Sequence, residues 1–175
     1  MKVYHVIRED KPQYDVGDVI VSPFKYKRDF SFWKLYKQQA EELLEKERLN
    51  NFPFLPSRYD SLFVAETPEQ AEEWIRNKYR NGATYYFYEL ELVSGNIFYS
   101  DTDWFEALGE LLSNGELPVT HNHSVEECIT QFWIGNPFRN SEYSLKDGML
   151  QGTVKVISKR KFHYDRFRNE IIELQ

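Results

Sequence analysis

The chain alternates between two rhythms of apolar residues. Val3-Tyr4-His5-Val6-Ile7 is β-branched and aromatic, which predicts a strand. Tyr14 to Val21 holds a Gly17-Asp18 turn leading into a second short strand, closed by Pro23. From Phe30 to Leu49 the spacing becomes helical, with Phe32, Leu35, Tyr36, Leu43 and Leu44 predicted on the apolar face. Pro53 and Pro56 break that pattern, and Ser61-Leu62-Phe63-Val64-Ala65 reads as a compact strand. Thr67-Pro68-Glu69-Gln70 then starts a helix: Thr as cap, Pro in the first helical position, Gln three residues after the cap. Ala71, Trp74, Ile75 and Tyr79 mark its buried face, and Asn81-Gly82 its end.

Thr84 to Val93 alternates imperfectly and predicts a central strand, with Ser94-Gly95-Asn96 turning into another strand, Ile97-Phe98-Tyr99. Asp103-Trp104-Phe105-Glu106 and Ser124-Val125-Glu126-Glu127 read as capping boxes. The helices they open end near Asn114-Gly115 and at Gly135. Glu142 to Leu145, a turn at Lys146-Asp147-Gly148 and Gly152 to Ile157 read as two closing strands. With strands first, helices between and strands last, the expected class is α+β with a largely antiparallel core, as a single domain over residues 1–175.

Composition narrows the setting. Aromatic residues reach 17 %, enough to fill a core and also to line a cleft that stacks flat ligands. No apolar run approaches the roughly 20 residues that span a bilayer, so no membrane partner is expected. Nothing at the start resembles a signal peptide, and the single Cys128 rules out an internal disulfide framework and a zinc site of several cysteines. A reducing, cytoplasmic home is the inference. The net charge of −6 disfavours nucleic acid, although Lys155, Lys159, Arg160, Lys161, Arg166 and Arg168 are locally basic. That run is expected to be a solvated strand edge and tail.

Tyr4-His5 in the first strand is similar to the Tyr-His-Gly-Thr opening of many ADP-ribosyltransferases. Val16 to Ile20 follows at the spacing seen in the rifamycin-modifying members. Leu62 to Thr67, with Ala71 and Trp74, resembles their second strand and next helix. Tyr88 to Glu91, Gly95, Asp101 and a Gly135-Asn136-Pro137-x-Arg139 loop continue the series, which runs roughly from Val3 to Val156. A broader bacterial family of unknown function shares the pattern. The resemblance implies split antiparallel sheets with flanking helices, and NAD as substrate. Two departures stand out: Val6-Ile7 replaces Gly-Thr, and Leu62 stands where a tyrosine often stacks on nicotinamide. Tyr59, Tyr85 and Tyr99 are the alternatives for that ring. For the acidic residue, Glu142 resembles the glutamate of the His-Tyr-Glu subgroup and Asp101 the aspartate of the rifamycin-modifying one; Glu142 is favoured.

The chemistry follows from charge. Breaking the ribose–nicotinamide bond develops positive charge on the sugar, which a carboxylate stabilises while other groups hold the substrate. The resemblance implies that His5 holds a ribose. Tyr59, Phe63 and Trp133 could sandwich nicotinamide or adenine, and Arg58 or Arg139 could neutralise the pyrophosphate, since Arg matches phosphate oxygens in a fork. Each has a structural alternative: a histidine satisfied within its strand, a solvated glutamate, aromatic packing. His121-Asn122-His123 has the spacing to chelate a metal but lacks an evident third ligand. The leading expectation is transfer of ADP-ribose from NAD to an unidentified small molecule, protein or nucleic acid, or to water, in the setting of a toxin or phage conflict. The alternatives are a catalytically silent nucleotide- or protein-binding module on the same fold, and a small nucleic-acid-binding domain.

Overall fold

The computed structural model describes residues 1–22, 34–78, 83–138, 145–165 and 167–174. Six strands and four helices occur among them, in the order β1 (Lys2–Arg8), β2 (Val19–Val21), α1 (Leu35–Asn51), β3 (Leu62–Val64), α2 (Pro68–Lys78), β4 (Thr84–Asp101), α3 (Thr102–Leu112), α4 (Val125–Ile134), β5 (Lys146–Asp165) and β6 (Glu170–Leu174). The mixed class is the expected α+β. None of these helices is long and apolar enough to cross a membrane.

The caps explain where the helices begin and end. Gln70 N–H donates to Thr67 Oγ1, and Gln70 Oε1 accepts from Glu66 N–H, so the predicted box opens α2. Ser124 Oγ likewise accepts from Glu127 N–H at the start of α4, and Gly135 ends that helix in the left-handed conformation, φ 72°. The cap of α3 is Asp101 rather than Asp103, because Asp101 Oδ1 accepts from Asp103 N–H.

All strand pairings are antiparallel, and β4 and β5 form the long ribbon at the centre. β1 lines the other side of β4. Along the other side of β5 lie β3 against Gly148–Leu150, β2 against Thr153–Lys155 and β6 against Lys161–Asp165. Three sequence expectations change here. The strand runs through Ser94-Gly95-Asn96 and through Lys146-Asp147-Gly148 instead of turning, and the basic run up to Lys161 lies on the central strand, not on an edge. Gly95 and Gly152 face each other across the ribbon. A Cβ on Gly152 would stand 2.0 Å from Ser94 O, and one on Gly95 2.2 Å from Gln151 O. The two backbones come together there closely enough that only glycine fits, with Gly95 at φ 112°. Ala65, just beyond β3, pairs with Tyr4, so the path β1–β4–β5–β3 returns to β1.

Strand alternation sorts side chains into two cores. Val6, Phe63, Ala65, Phe87 and Met149 face the helices with Leu44, Trp74, Leu108 and Trp133. Val3, Leu62, Val64, Tyr88, Leu90, Leu150, Val154 and Val156 fill a second, smaller core with Ile20. The buried face of α1 is Ala40, Glu41, Leu44 and Arg48, while Leu35 is exposed. The predicted face is therefore rotated, because Glu41 and Arg48 are drawn inward by polar partners outside the helix's own pattern. Phe30, Phe32, Tyr79, Asn81 and Gly82 lie outside the described residues.

Candidate functional site

His5 sits where β1 and β3 part company. Tyr4 and Ala65 exchange backbone hydrogen bonds of 2.9 and 2.7 Å. At the next step the imidazole Nδ1 lies 2.8 Å from Phe63 O. A carbonyl only accepts, so Nδ1 carries the proton and, in the neutral ring, Nε2 is the acceptor. The half-buried ring is also stacked on its cross-strand partner Tyr88, 6.3 Å between centroids at 26°. The orientation of His5 is thus set from two sides.

Register carries the arrangement further. His5 lies opposite Val64, Val64 pairs with Gly148, and Gly148 pairs with Tyr99. Cross-strand partners share a face, so His5, Val64, Gly148 and Tyr99 form a row on the side of the smaller core. A Cβ on Gly148 would stand 2.6 Å from Tyr99 Cε1 and 2.9 Å from Val64 Cγ2, which puts the tyrosine ring over the glycine. Val64 and Gly148 are buried, whereas His5 and Tyr99 at either end are half-buried. Burial, with the charge of Glu66 adding, pushes the Tyr99 hydroxyl up to about 12.

The other aromatic and arginine candidates gather elsewhere. Phe63 points into the helical core, so it shares a hydrogen bond with His5 but not a face; the two do not line one cleft. Arg58 is 3 % exposed and forks onto Glu41, with Nε to Oε2 at 2.7 Å and Nη2 to Oε1 at 2.9 Å. The rings of Phe63, Phe105 and Phe132 surround it at 5.1, 4.7 and 5.1 Å. Burial opposes its charge, but Glu41, then Asp147 and Glu106, raise its pKa regardless. Trp133 is buried, donates to Leu44 O at 2.9 Å and stacks on Phe98. Both side chains bind core elements to one another. Tyr59 is half-buried beside them, its pKa raised by burial and by Glu41, Glu42 and Glu45. Tyr85 is buried on the helical side.

Of the two acid candidates, Asp101 is 2 % exposed and accepts from two backbone amides, Asp103 at 3.0 Å and Phe138 at 2.8 Å. It caps α3 and pins the loop after α4. Glu142 and Arg139 lie outside the described residues.

A family model described as "Protein of unknown function (DUF2441)" matches residues 25–172. The chain belongs to the DUF2441 family. The match includes Val64, Gly148 and Tyr99 and begins after His5. No curated protein matches the chain.

In this DUF2441 chain His121 and His123 form a cluster of their own with Trp104 and Phe138. His121 Nε2 is 3.1 Å from Ala107 O, and its Nδ1 accepts from His123 N–H at 3.1 Å. Both ring nitrogens are engaged by backbone, which explains the spacing without a metal. Among the described residues no group of three His, Cys, Asp or Glu side chains is arranged to hold one. Cys128 is a buried free thiol, pushed up to about 11 by burial. Glu41 and Tyr88 define the surroundings of Arg58 and His5, yet neither carries a local sequence signal. Tyr88 could be found only by pairing β1 with β4 in the correct register.

Proposed function

We propose that the face carrying His5 binds NAD and that the chain transfers ADP-ribose from it, or hydrolyses it when water is the acceptor. Supporting the reading are the ordered similarities to ADP-ribosyltransferases between Val3 and Val156 and a mixed fold built on an antiparallel sheet with helices packed on one of its faces. The observation that carries it is the fixed imidazole: Nδ1–H is committed to Phe63 O and the ring stacks on Tyr88, which holds His5 in one orientation on this face. In the reaction the bond between ribose C1′ and the nicotinamide nitrogen breaks, and its electron pair leaves with nicotinamide. The acceptor's lone pair forms the new bond to C1′, and its proton passes to a carboxylate, the role proposed for Glu142. That carboxylate also offsets the positive charge on the sugar, a contribution made chiefly in the transition state.

One observation favours a second reading. Arg58, Phe63 and Trp133 belong to the core, which removes three groups that would otherwise grip the pyrophosphate and the rings. A catalytically silent module that binds a nucleotide or a protein on the same fold needs fewer such contacts. Calorimetry with NAD, followed by release of labelled nicotinamide in the presence of cell lysate, separates the readings. The transferase reading expects binding, release, and loss of both in His5→Ala, with release lost in Glu142→Gln. Binding without release points to the silent module, and no heat at millimolar NAD sinks the NAD reading.

A further inference from the structure

β2 ends the sheet path and leaves its own outer edge open. Val156 N–H donates to Asp18 O and Ser22 N–H to Gly152 O, both at 2.9 Å. Inward and outward residues alternate in an antiparallel ladder. Asp18, Ile20 and Ser22 therefore turn their backbone groups to β5, and Val19 and Val21 turn theirs away. Among the described residues no strand pairs with that edge. Its side chains are as open as its backbone: Val19 is 60 % and Val21 57 % exposed, while Ile20 between them packs in the smaller core. An apolar edge with neither charge nor proline inside the strand is a template for another strand.

The edge is complementary to itself. With a two-fold axis through Ile20 and the copies antiparallel, Val19 meets the partner's Val21, and each such pair can exchange both of its backbone hydrogen bonds. The valines then lie side by side and shed water. Asp18 meets the partner's Ser22, so no like charges oppose each other within the strand. Charge along the chain selects the same direction. Asp15 and Asp18 precede or open β2, whereas Lys25, Lys27 and Arg28 follow it in the sequence. Antiparallel copies match opposite signs, and parallel copies would match like signs. A strand of 3 residues suits a weak, reversible contact.

We propose that β2 is a self-association surface through which a second copy of this chain pairs, antiparallel about Ile20, to extend the sheet across a dimer. Sedimentation equilibrium from roughly 10 to 500 μM should show the mass rising from monomer toward dimer, as for a small interface. Val19→Lys combined with Val21→Lys puts charge on the edge and should hold the chain monomeric over that range. Its thermal melt at low concentration should be unchanged, because neither side chain enters a core. Val119→Lys, at a 52 % exposed valine elsewhere, should leave association intact. Register is tested separately and without added charge. In an antiparallel bonded pair the Cα atoms stand about 5.5 Å apart, within disulfide reach. An equimolar mixture of Val19→Cys and Val21→Cys, oxidised with diamide, should cross-link more than either variant alone, with Cys128 too buried to compete. A wild type that stays monomeric at the highest concentration overturns the proposal. So does a dimer that survives both lysines, or a mixture that cross-links no more than its components.

Discussion

Replacing Arg58 by Met tests both the assembly of the helical core and the role of this arginine. Arg58 and Glu41 are 3 % and 1 % exposed, so neither charge is shared with solvent. The guanidinium joins the loop before β3 to α1 through hydrogen bonds of 2.7 and 2.9 Å, with three phenyl rings around it. Arg58→Met retains much of the apolar contact but strands the Glu41 carboxylate, and breaking a buried pair in this way costs about 3–5 kcal/mol. Glu41→Leu strands the guanidinium instead. The rings still face that cation, and such contacts are worth about 0.5–2 kcal/mol each, so this loss belongs at the lower end, about 3 kcal/mol. With both changes neither member of this pair is left as a stranded charge, and the double variant should be more stable than either single one, a coupling of several kcal/mol. Urea denaturation of the four proteins at one pH, read as midpoint times slope, measures it. Single losses below about 1 kcal/mol, or simple additivity, would refute the reasoning. The same proteins address function. If Arg58 serves the core alone, a folded double variant retains whatever NAD affinity the wild type has; if it grips pyrophosphate, that affinity falls.

Gly152→Ala places a Cβ 2.0 Å from Ser94 O and should cost more than about 3 kcal/mol, whereas Gly115→Ala, with φ 87° but nothing within 4 Å, should cost about 1 kcal/mol; thermal melts compare them. Alkali should destabilise the fold in two stages. Cys128, at 9.0 when unfolded and about 11 when folded, contributes stability that is complete below pH 9 and lost as pH rises to 11. Tyr99 does the same between 10 and about 12. The shift at Cys128 is worth on the order of 2–3 kcal/mol and that at half-buried Tyr99 less; denaturation midpoints against pH should lose the first stage in Cys128→Ala and the second in Tyr99→Phe. Asp101→Ala removes the acceptor for two backbone amides and should cost about 1–2 kcal/mol in urea, while Asp101→Asn, still able to cap, should cost less.

What the sequence discloses follows the range of each interaction. Thr67, Ser124 and Gly135 mark helix ends through bonds to residues within one turn, so local pattern finds them. Glu41 and Arg48 look solvated in their helix and are buried, because Arg58, Pro53 and Leu55 meet them only after the chain folds. Gly95 shows the same limit: Ser-Gly-Asn reads as a turn, and only its pairing with Gly152 makes it a point of close backbone approach within a continuous strand. At the candidate site, His5 is legible as a residue but its hydrogen bond to Phe63 O is not. Arg58, Phe63 and Trp133 were credible ligands from residue type alone; packing directs them to the core.

The irregularities of the ribbon also bring the candidate site together. In an unbroken strand residues an odd number apart face opposite sides, so Tyr88 and Tyr99 should diverge. They do not, because the register slips between Leu92 and Ser94, leaving Val93 as an extra residue, 61 % exposed. A bulge of this kind reverses the alternation beyond it. Leu90 and Leu92 before the slip and Ile97 after it all pack against the smaller core, and Tyr99 follows Ile97 onto that side. The matching slip between Glu89 and Leu90 places the extra residue, Ile157, on β5, keeping Lys159 opposite Tyr88. The imperfect alternation from Thr84 to Val93 is therefore information rather than noise. A regular strand would have offered this face only the tyrosines of its first half, Tyr86 and Tyr88; the bulged one also brings Tyr99 of the second half to the face on which His5 is fixed.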